Sequence, residues 1–325
     1  MGGLPDIIWR GNLLVTHLIN EYGLLVVDGP LATELERRGC DLSDELWSAR
    51  MLMERPELIR QVHLDYFRAG ADVAITASYQ ASPQGFQRRG CDEAQALALI
   101  TQSAQLAAEA RDLFLTEQRE FSRRPRPLIA GSIGSYGASL ANGSEYTGHF
   151  DLSRKQLIDF HRPRMQALAD HVDFLALETI PCLHEARALV DLLEEFPTLS
   201  AWICFSCRDG AHNGVGEPIE QVVAWLDRQK QIFAVGINCT HPRYLNDLLA
   251  RMQGATGKPL VVYPNSGEAY DARSGCWTGS GWETFTATVL SEWYARGVRL
   301  IGGCCRTTPA MIRQVADWRA GLFSR

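Results

Sequence analysis

The sequence predicts an α/β protein folded as a single (β/α)8 TIM barrel, and three observations lead there. Eight short apolar runs rich in β-branched residues recur along the chain. Stretches with the spacing of amphipathic helices separate them. The length, 325 residues, lies in the range that such a barrel occupies as one domain.

The runs cover residues 24–27, 73–77, 128–132, 174–178, 202–206, 233–238, 260–264 and 300–303. Continuous apolar runs of this length suit strands covered on both faces of a parallel sheet. After the second run, Leu97, Ile100, Ala104, Ala107, Ala108 and Leu115 share a helical face. Leu157, Phe160, Met165 and Leu168 do so before the fourth, and Met311, Ile312, Val315 and Trp318 close the series. Eight strand–helix alternations are the count of a closed barrel. A doubly wound open sheet is the alternative if an element is miscounted. Residues 21–325 are expected to form the barrel, with 1–20 an extension of unassigned role. Residues 123–127, Pro/Arg-rich, read as a loop entering the third strand, and the polar, Gly-rich 138–151 as a long loop leaving it.

Composition narrows the function. A net charge of −6, with only short basic pairs at Arg88-Arg89 and Arg123-Arg124, argues against a nucleic-acid partner. No run of 18 apolar residues is present, so no membrane span is expected. Nine scattered cysteines without a signal-peptide pattern favour reduced thiols in the cytoplasm over a disulfide framework. The oligomeric state is left open.

In an α/β barrel the active site lies at the carboxyl ends of the strands. Those ends read Asp28-Gly29, Thr76-Ala77-Ser78-Tyr79, Gly131-Ser132-Ile133-Gly134, Glu178-Thr179, Asn238-Cys239, Tyr263-Pro264-Asn265-Ser266-Gly267 and Gly302-Gly303-Cys304-Cys305. Two carboxylates and three thiols therefore converge on one mouth. Adjacent cysteines bridge each other poorly, whereas Gly302-Gly303 gives the chain freedom to turn both toward one ion. Cys239 supplies a third soft ligand. An all-thiolate set favours Zn²⁺, and three protein ligands leave a fourth position open, the pattern of a catalytic site. Against this stands plain packing, since a buried cysteine is a small apolar residue. Packing is the reading given to Cys40, Cys91, Cys182, Cys204, Cys207 and Cys276. Cys204 and Cys207, three apart on one strand, point to opposite faces. His241, in a loop past its strand, is set aside as a ligand.

The segments Gly236-Ile237-Asn238-Cys239 and Gly302-Gly303-Cys304-Cys305-Arg306 resemble the two signatures of the homocysteine S-methyltransferase family. Asp28-Gly29, Thr76-Ala77-Ser78-Tyr79-Gln80, Glu178-Thr179 and Val262-Tyr263-Pro264-Asn265-Ser266-Gly267 fit as well. The similarity runs from about residue 22 to about residue 318, with Pro30 a departure where relatives often have a small residue. Within the family the chain is most similar to the bacterial S-methylmethionine:homocysteine methyltransferases. The resemblance implies one Zn²⁺ per chain, held by Cys239, Cys304 and Cys305. It also implies methyl transfer from a sulfonium donor, S-methylmethionine or S-adenosylmethionine, to homocysteine, giving methionine. Asp28 and Glu178 then suit the substrate's ammonium group, a charge-assisted contact. Thr76 and the amides around Ser132 suit its carboxylate, and Asn238 and Tyr263 a supporting role or a weak metal contact. Trp47, Tyr79 and Tyr136 are candidates for an aromatic face toward the donor's cation.

Competing classes leave recognisable traces. A Schiff-base aldolase needs a lysine at a strand end, and Lys155, Lys230 and Lys258 stand elsewhere. A hydrolase barrel needs inward histidine ligands, which no strand end offers. A betaine-type methyltransferase and a non-catalytic zinc-binding barrel remain alternatives. Donor preference separates the first, and methionine formation the second.

Overall fold

The computed structural model of the chain describes residues 10–44, 46–117, 124–271, 276–279, 281 and 285–322. Arg123 and residues 1–9 lie outside them. All eight apolar runs form strands: β1 (Leu25–Val26), β2 (Val73–Ile75), β3 (Leu128–Gly134), β4 (Phe174–Ile180), β5 (Ala201–Phe205), β6 (Ile232–Asn238), β7 (Leu260–Tyr263) and, in the eighth place, β10 (Val298–Ile301). They pair in parallel in the order β1-β10-β7-β6-β5-β4-β3-β2. A parallel bridge between Val27 and Val73 completes the ring. The expected barrel is therefore present, and the open sheet is not. The apolar runs did not announce β8 (Ala269–Asp271) and β9 (Cys276–Thr278), an antiparallel hairpin between β7 and β10. Its residues lack an apolar run, since the hairpin stands outside the barrel sheet.

Strand alternation divides the interior in two. Outward residues such as Leu175, Leu177, Ile203, Val235 and Ile237 pack beneath the helices in the larger core. Inward residues, among them Leu25, Val73, Leu128, Phe174, Trp202, Val261 and Leu300, fill the barrel. Cys204 belongs to this inner set, whereas Cys207 lies past the end of β5, bridged to Asn213, and packs against the outer core, so the expectation of both on one strand is corrected. Aromatic bulk sits low in the barrel, with Phe174 stacked obliquely on Trp202 at 5.3 Å.

Residues 10–22 have a role the sequence did not disclose. They form a helix, Arg10–Tyr22, whose Val15, Leu18 and Ile19 are buried among the inward strand residues. The helix runs so close beneath β4 and β5 that a Cβ on Gly11 would press on the Asp173 carbonyl and Ser200. It closes the amino-terminal end of the barrel. Leu14, Val15, Leu18, Ile19 and Tyr22 recur with a helical period, but a helix ahead of the first strand has no place among the eight strand–helix alternations.

A buried charge network fastens the β1–β2 seam nearby. Asp72 accepts a hydrogen bond from the Val26 amide at 2.8 Å and pairs with Arg319 and Arg124. Burial pushes its carboxyl pKa up, while Arg319 and Arg124 pull it back. Removing one partner of a buried pair leaves an uncompensated charge. Arg319→Ala is therefore expected to lower unfolding free energy by about 3 kcal/mol, read from urea melts. A loss below ~1 kcal/mol would show that Arg124 alone neutralises Asp72.

Candidate metal centre and active site

The three thiols meet because the backbone turns at both strand ends. Cys239 follows β6 with φ of 49°, a left-handed conformation unusual for a residue with a side chain. Its amide donates to the Tyr263 carbonyl at 3.2 Å. After β10, Gly303 donates to the Asp28 carbonyl at 3.0 Å and Cys304 to the Pro264 carbonyl at 2.8 Å. A Cβ on Gly302 would come within 2.7 Å of the Asp28 carbonyl. Glycine at this place is thus a requirement of close approach.

Cys239 Sγ lies 3.7 Å from Cys305 Sγ, and Cys304 Sγ 4.0 Å from Cys305 Sγ. All three sulfurs lie within 4.8 Å of one another. Zn–S bonds of ~2.3 Å in tetrahedral geometry set neighbouring sulfurs about 3.8 Å apart. The donor set and its spacing fit Zn²⁺, and the cluster is a zinc site. Hydrogen bonds from Cys304, Cys305, Tyr146 and Asn265 hold the Cys239 thiol pKa well below its usual range, while those of Cys304 and Cys305 are raised. Cys239 is therefore the readiest thiolate of the set.

The cluster opens into a cavity of about 790 Å³. Its walls carry Asp28, Glu36, Asp41, Asp44, Glu145 and Glu178, and among the described residues no lysine, arginine or histidine. Asp28 accepts from the Ile75 amide at 3.0 Å. Burial, with the charge of Glu178 nearby, holds its carboxyl well above the usual range. Burial also pushes Glu178 up to about 7, against hydrogen bonds from Ser132 and Tyr263.

Thr76 lines the cavity, but its hydroxyl accepts from the Ser132 amide and pairs with Ser78, whose own proton goes to the Ser132 carbonyl. Ser132 is fully buried and donates its hydroxyl to Glu178. Both hydroxyls are thus engaged within the protein, where they brace β2, β3 and Glu178. Asn238 grips Thr179 at both ends of its amide, accepting from the Thr179 amide and donating to its hydroxyl, each at 2.8 Å. This holds Thr179 at φ of 57°. The Thr179 hydroxyl in turn bonds Tyr79. Tyr263 lies below the cluster, bonded to Glu178 and accepting from Trp202 Nε1 at 3.3 Å.

Trp47 and Tyr79 meet edge to face at 6.4 Å in the cavity wall. Buried Arg164 fixes the Tyr79 carbonyl at 2.8 Å. Tyr136 stands elsewhere, packed between Phe150 and Phe160, and is withdrawn as a donor contact. His241 caps the turn Pro242–Tyr244. Lys258 bonds the carbonyls of Gln229 and Ile232 at the opposite end of β6, far from a Schiff-base position. The side chain of Cys276 lies outside the described residues. Sequence reading missed Glu145 and Tyr146, whose hydroxyl stands 3.1 Å from Cys239 Sγ. They sit on a four-residue helix, Ser144–Thr147, inside a stretch read as loop. One turn is too short for periodicity to register. Among the described residues no helix is long and apolar enough to cross a membrane.

Comparison with known proteins agrees with this geometry. The family model described as homocysteine S-methyltransferase matches residues 25–319. Homocysteine S-methyltransferase YbgG of Bacillus subtilis is 52% identical over 309 residues, covering 95% of this chain and 98% of its own. Homocysteine S-methyltransferase of Escherichia coli is 51% identical over 297 residues, 91% and 95% of the two chains. The crystal structure of the metallated form of the Escherichia coli homocysteine methyltransferase MmuM superposes with a TM-score of 0.84 at 48% identity, covering 93% of this chain and 99% of that one. With three thiols gathered at the mouth of a barrel whose family match spans residues 25–319, the chain belongs to the homocysteine S-methyltransferase family.

Proposed function

We propose that this homocysteine S-methyltransferase takes its methyl group from S-methylmethionine in preference to S-adenosylmethionine, and that it does not use betaine. The observation that carries the choice of a sulfonium donor over betaine is the charge of the cavity: six carboxylates, three thiols and, among the described residues, no basic side chain. Such a wall favours ligands with net positive charge. S-methylmethionine carries a sulfonium, an ammonium and one carboxylate. Betaine is a zwitterion whose carboxylate finds no cation on the described wall. Both sulfonium donors carry net positive charge, and the resemblance of the strand-end signatures to S-methylmethionine enzymes supports S-methylmethionine as the preferred one.

In this reading Asp28 and Glu178 take the homocysteine ammonium, which restores both carboxyls to their charged form. Ser132 and Tyr263 orient Glu178 for that contact. The zinc ion, when bound, lowers the pKa of the homocysteine thiol so that it is a thiolate at neutral pH. The thiolate sulfur attacks the sulfonium methyl, a new S–C bond forms, and the old bond's electron pair stays on the donor sulfur. Charge is neutralised in this step, so a site that excludes water favours it once both partners are bound. Trp47 and Tyr79 offer aromatic surface beside the cationic donor. The reduced thiols suit a cytoplasmic setting.

The test is kcat/KM for the three donors at saturating homocysteine, with methionine measured. S-methylmethionine is expected to lead S-adenosylmethionine by at least roughly tenfold, about 1.4 kcal/mol, with no betaine turnover. A preference for betaine would overturn the donor assignment.

A further inference from the structure

Glu145 is a half-buried acid that the proposed binding of homocysteine does not use. It lies on the single-turn helix Ser144–Thr147, between Gly143 and Gly148, both at positive φ. Its backbone is fixed, since the Ser206 hydroxyl donates to its carbonyl at 2.7 Å. Its side chain lines the same cavity as the metal cluster. Yet Oε2 is buried and has no hydrogen-bond partner among the described residues. The next residue, Tyr146, reaches Cys239 Sγ, so Glu145 stands beside the reacting centre.

The other acids of the cavity are accounted for. Asp28 and Glu178 influence each other and suit one ammonium between them. Asp41 binds the amide and hydroxyl of Ser43. Asp44 pairs with Arg50 and Arg89, and Glu36 is exposed to solvent. Of these six acids, Glu145 alone keeps a buried oxygen without a hydrogen-bond partner among the described residues. Burial pushes its carboxyl up to about 7, and the charge of Cys239 adds to this. An unpaired buried carboxylate is costly, and a cation brought beside it removes the cost.

We propose that Glu145 binds the α-ammonium group of the methyl donor, an assignment that rests on reading the donor as a sulfonium amino acid. The donor has two cationic groups, and the chemistry distinguishes them. Its sulfonium loses its charge as the methyl leaves, so a carboxylate held against it would stabilise the ground state more than the transition state. Its ammonium keeps its charge throughout. A carboxylate there anchors the donor uniformly and leaves the methyl free to face the homocysteine sulfur.

The experiment compares zinc-loaded wild-type enzyme with Glu145→Gln on S-methylmethionine and on its deaminated analogue, 4-(dimethylsulfonio)butanoate. Zinc content, melting temperature and homocysteine KM serve as folding controls. The variant is expected to raise the S-methylmethionine KM about 10- to 100-fold, the worth of one charge-assisted contact. Its kcat is expected to change by less than about threefold. The analogue lacks the ammonium and is expected to be used equally by both proteins. If neither protein turns the analogue over, methionine and 4-(methylthio)butanoate serve as competitive inhibitors, and only methionine weakens in the variant. Equal loss on both members of a pair, or no loss on either, overturns the assignment. A wild-type enzyme that ignores S-methylmethionine overturns the donor reading, and this assignment with it.

Discussion

Serine in place of Cys239, Cys304 or Cys305 is expected to remove the zinc and the activity together. Each sulfur is a corner of one cluster, with separations of 3.7 and 4.0 Å across Cys305. A serine hydroxyl is far weaker as an anionic ligand, and two thiolates do not make a closed catalytic set. Zinc should fall from about one to below roughly 0.1 per chain, and methionine formation by at least ~10³-fold. The fold should persist, because the barrel closes through strand pairing and not through the metal. Metal analysis, circular dichroism and a methionine assay on the same preparations decide it. A serine variant that keeps both zinc and rate would strike that residue from the set.

Glu178→Gln is expected to raise the KM for homocysteine roughly 100-fold while zinc content holds, since an ammonium then faces a neutral amide. The same residue sets a pH dependence. Its carboxyl is normally near 4.5 but is pushed up to about 7 by burial. Below that value the free enzyme holds a neutral acid and binds the ammonium poorly. As pH rises through about 7 the carboxylate forms, so kcat/KM for homocysteine should climb across pH 6 to 8, by about tenfold per unit at most. In Glu178→Gln this limb should flatten, leaving the contributions of Asp28 and of the thiol. A variant that loses zinc while its homocysteine KM holds would instead place Glu178 in the metal site. An unchanged limb would assign the titration to another group.

The barrel and the metal ligands were legible in the sequence for different physical reasons. The strands showed because both faces of each are covered, so Leu, Val and Ile run without interruption. The thiols showed because three soft ligands at strand ends of one mouth match the needs of a metal ion far better than those of packing. What escaped has little sequence signal. Asn238, entertained as a metal contact, is a clamp on Thr179, and only the left-handed turn of Thr179 makes the clamp intelligible. The Ser132 hydroxyl donates to Glu178, a contact the sequence did not disclose, because strand alternation cannot say which inward neighbour claims a hydroxyl. Tyr136 pointed away because its place after β3 belongs to a turn and not to the strand's alternation. Glu145 and Tyr146 occupy a single helical turn, below the length at which a 3.6-residue period can be read.

The packed interior of the barrel, with the helix Arg10–Tyr22 beneath it, makes the active site a blind alley among the described residues. Reactants and products reach the sulfurs from the mouth, past walls that carry Trp47, Tyr79, Glu145 and Tyr146. Traffic in such a passage has an order. The molecule seated deepest, against the sulfurs at the strand ends, goes in first and comes out last. Its neighbour nearer the opening is the one that can be exchanged.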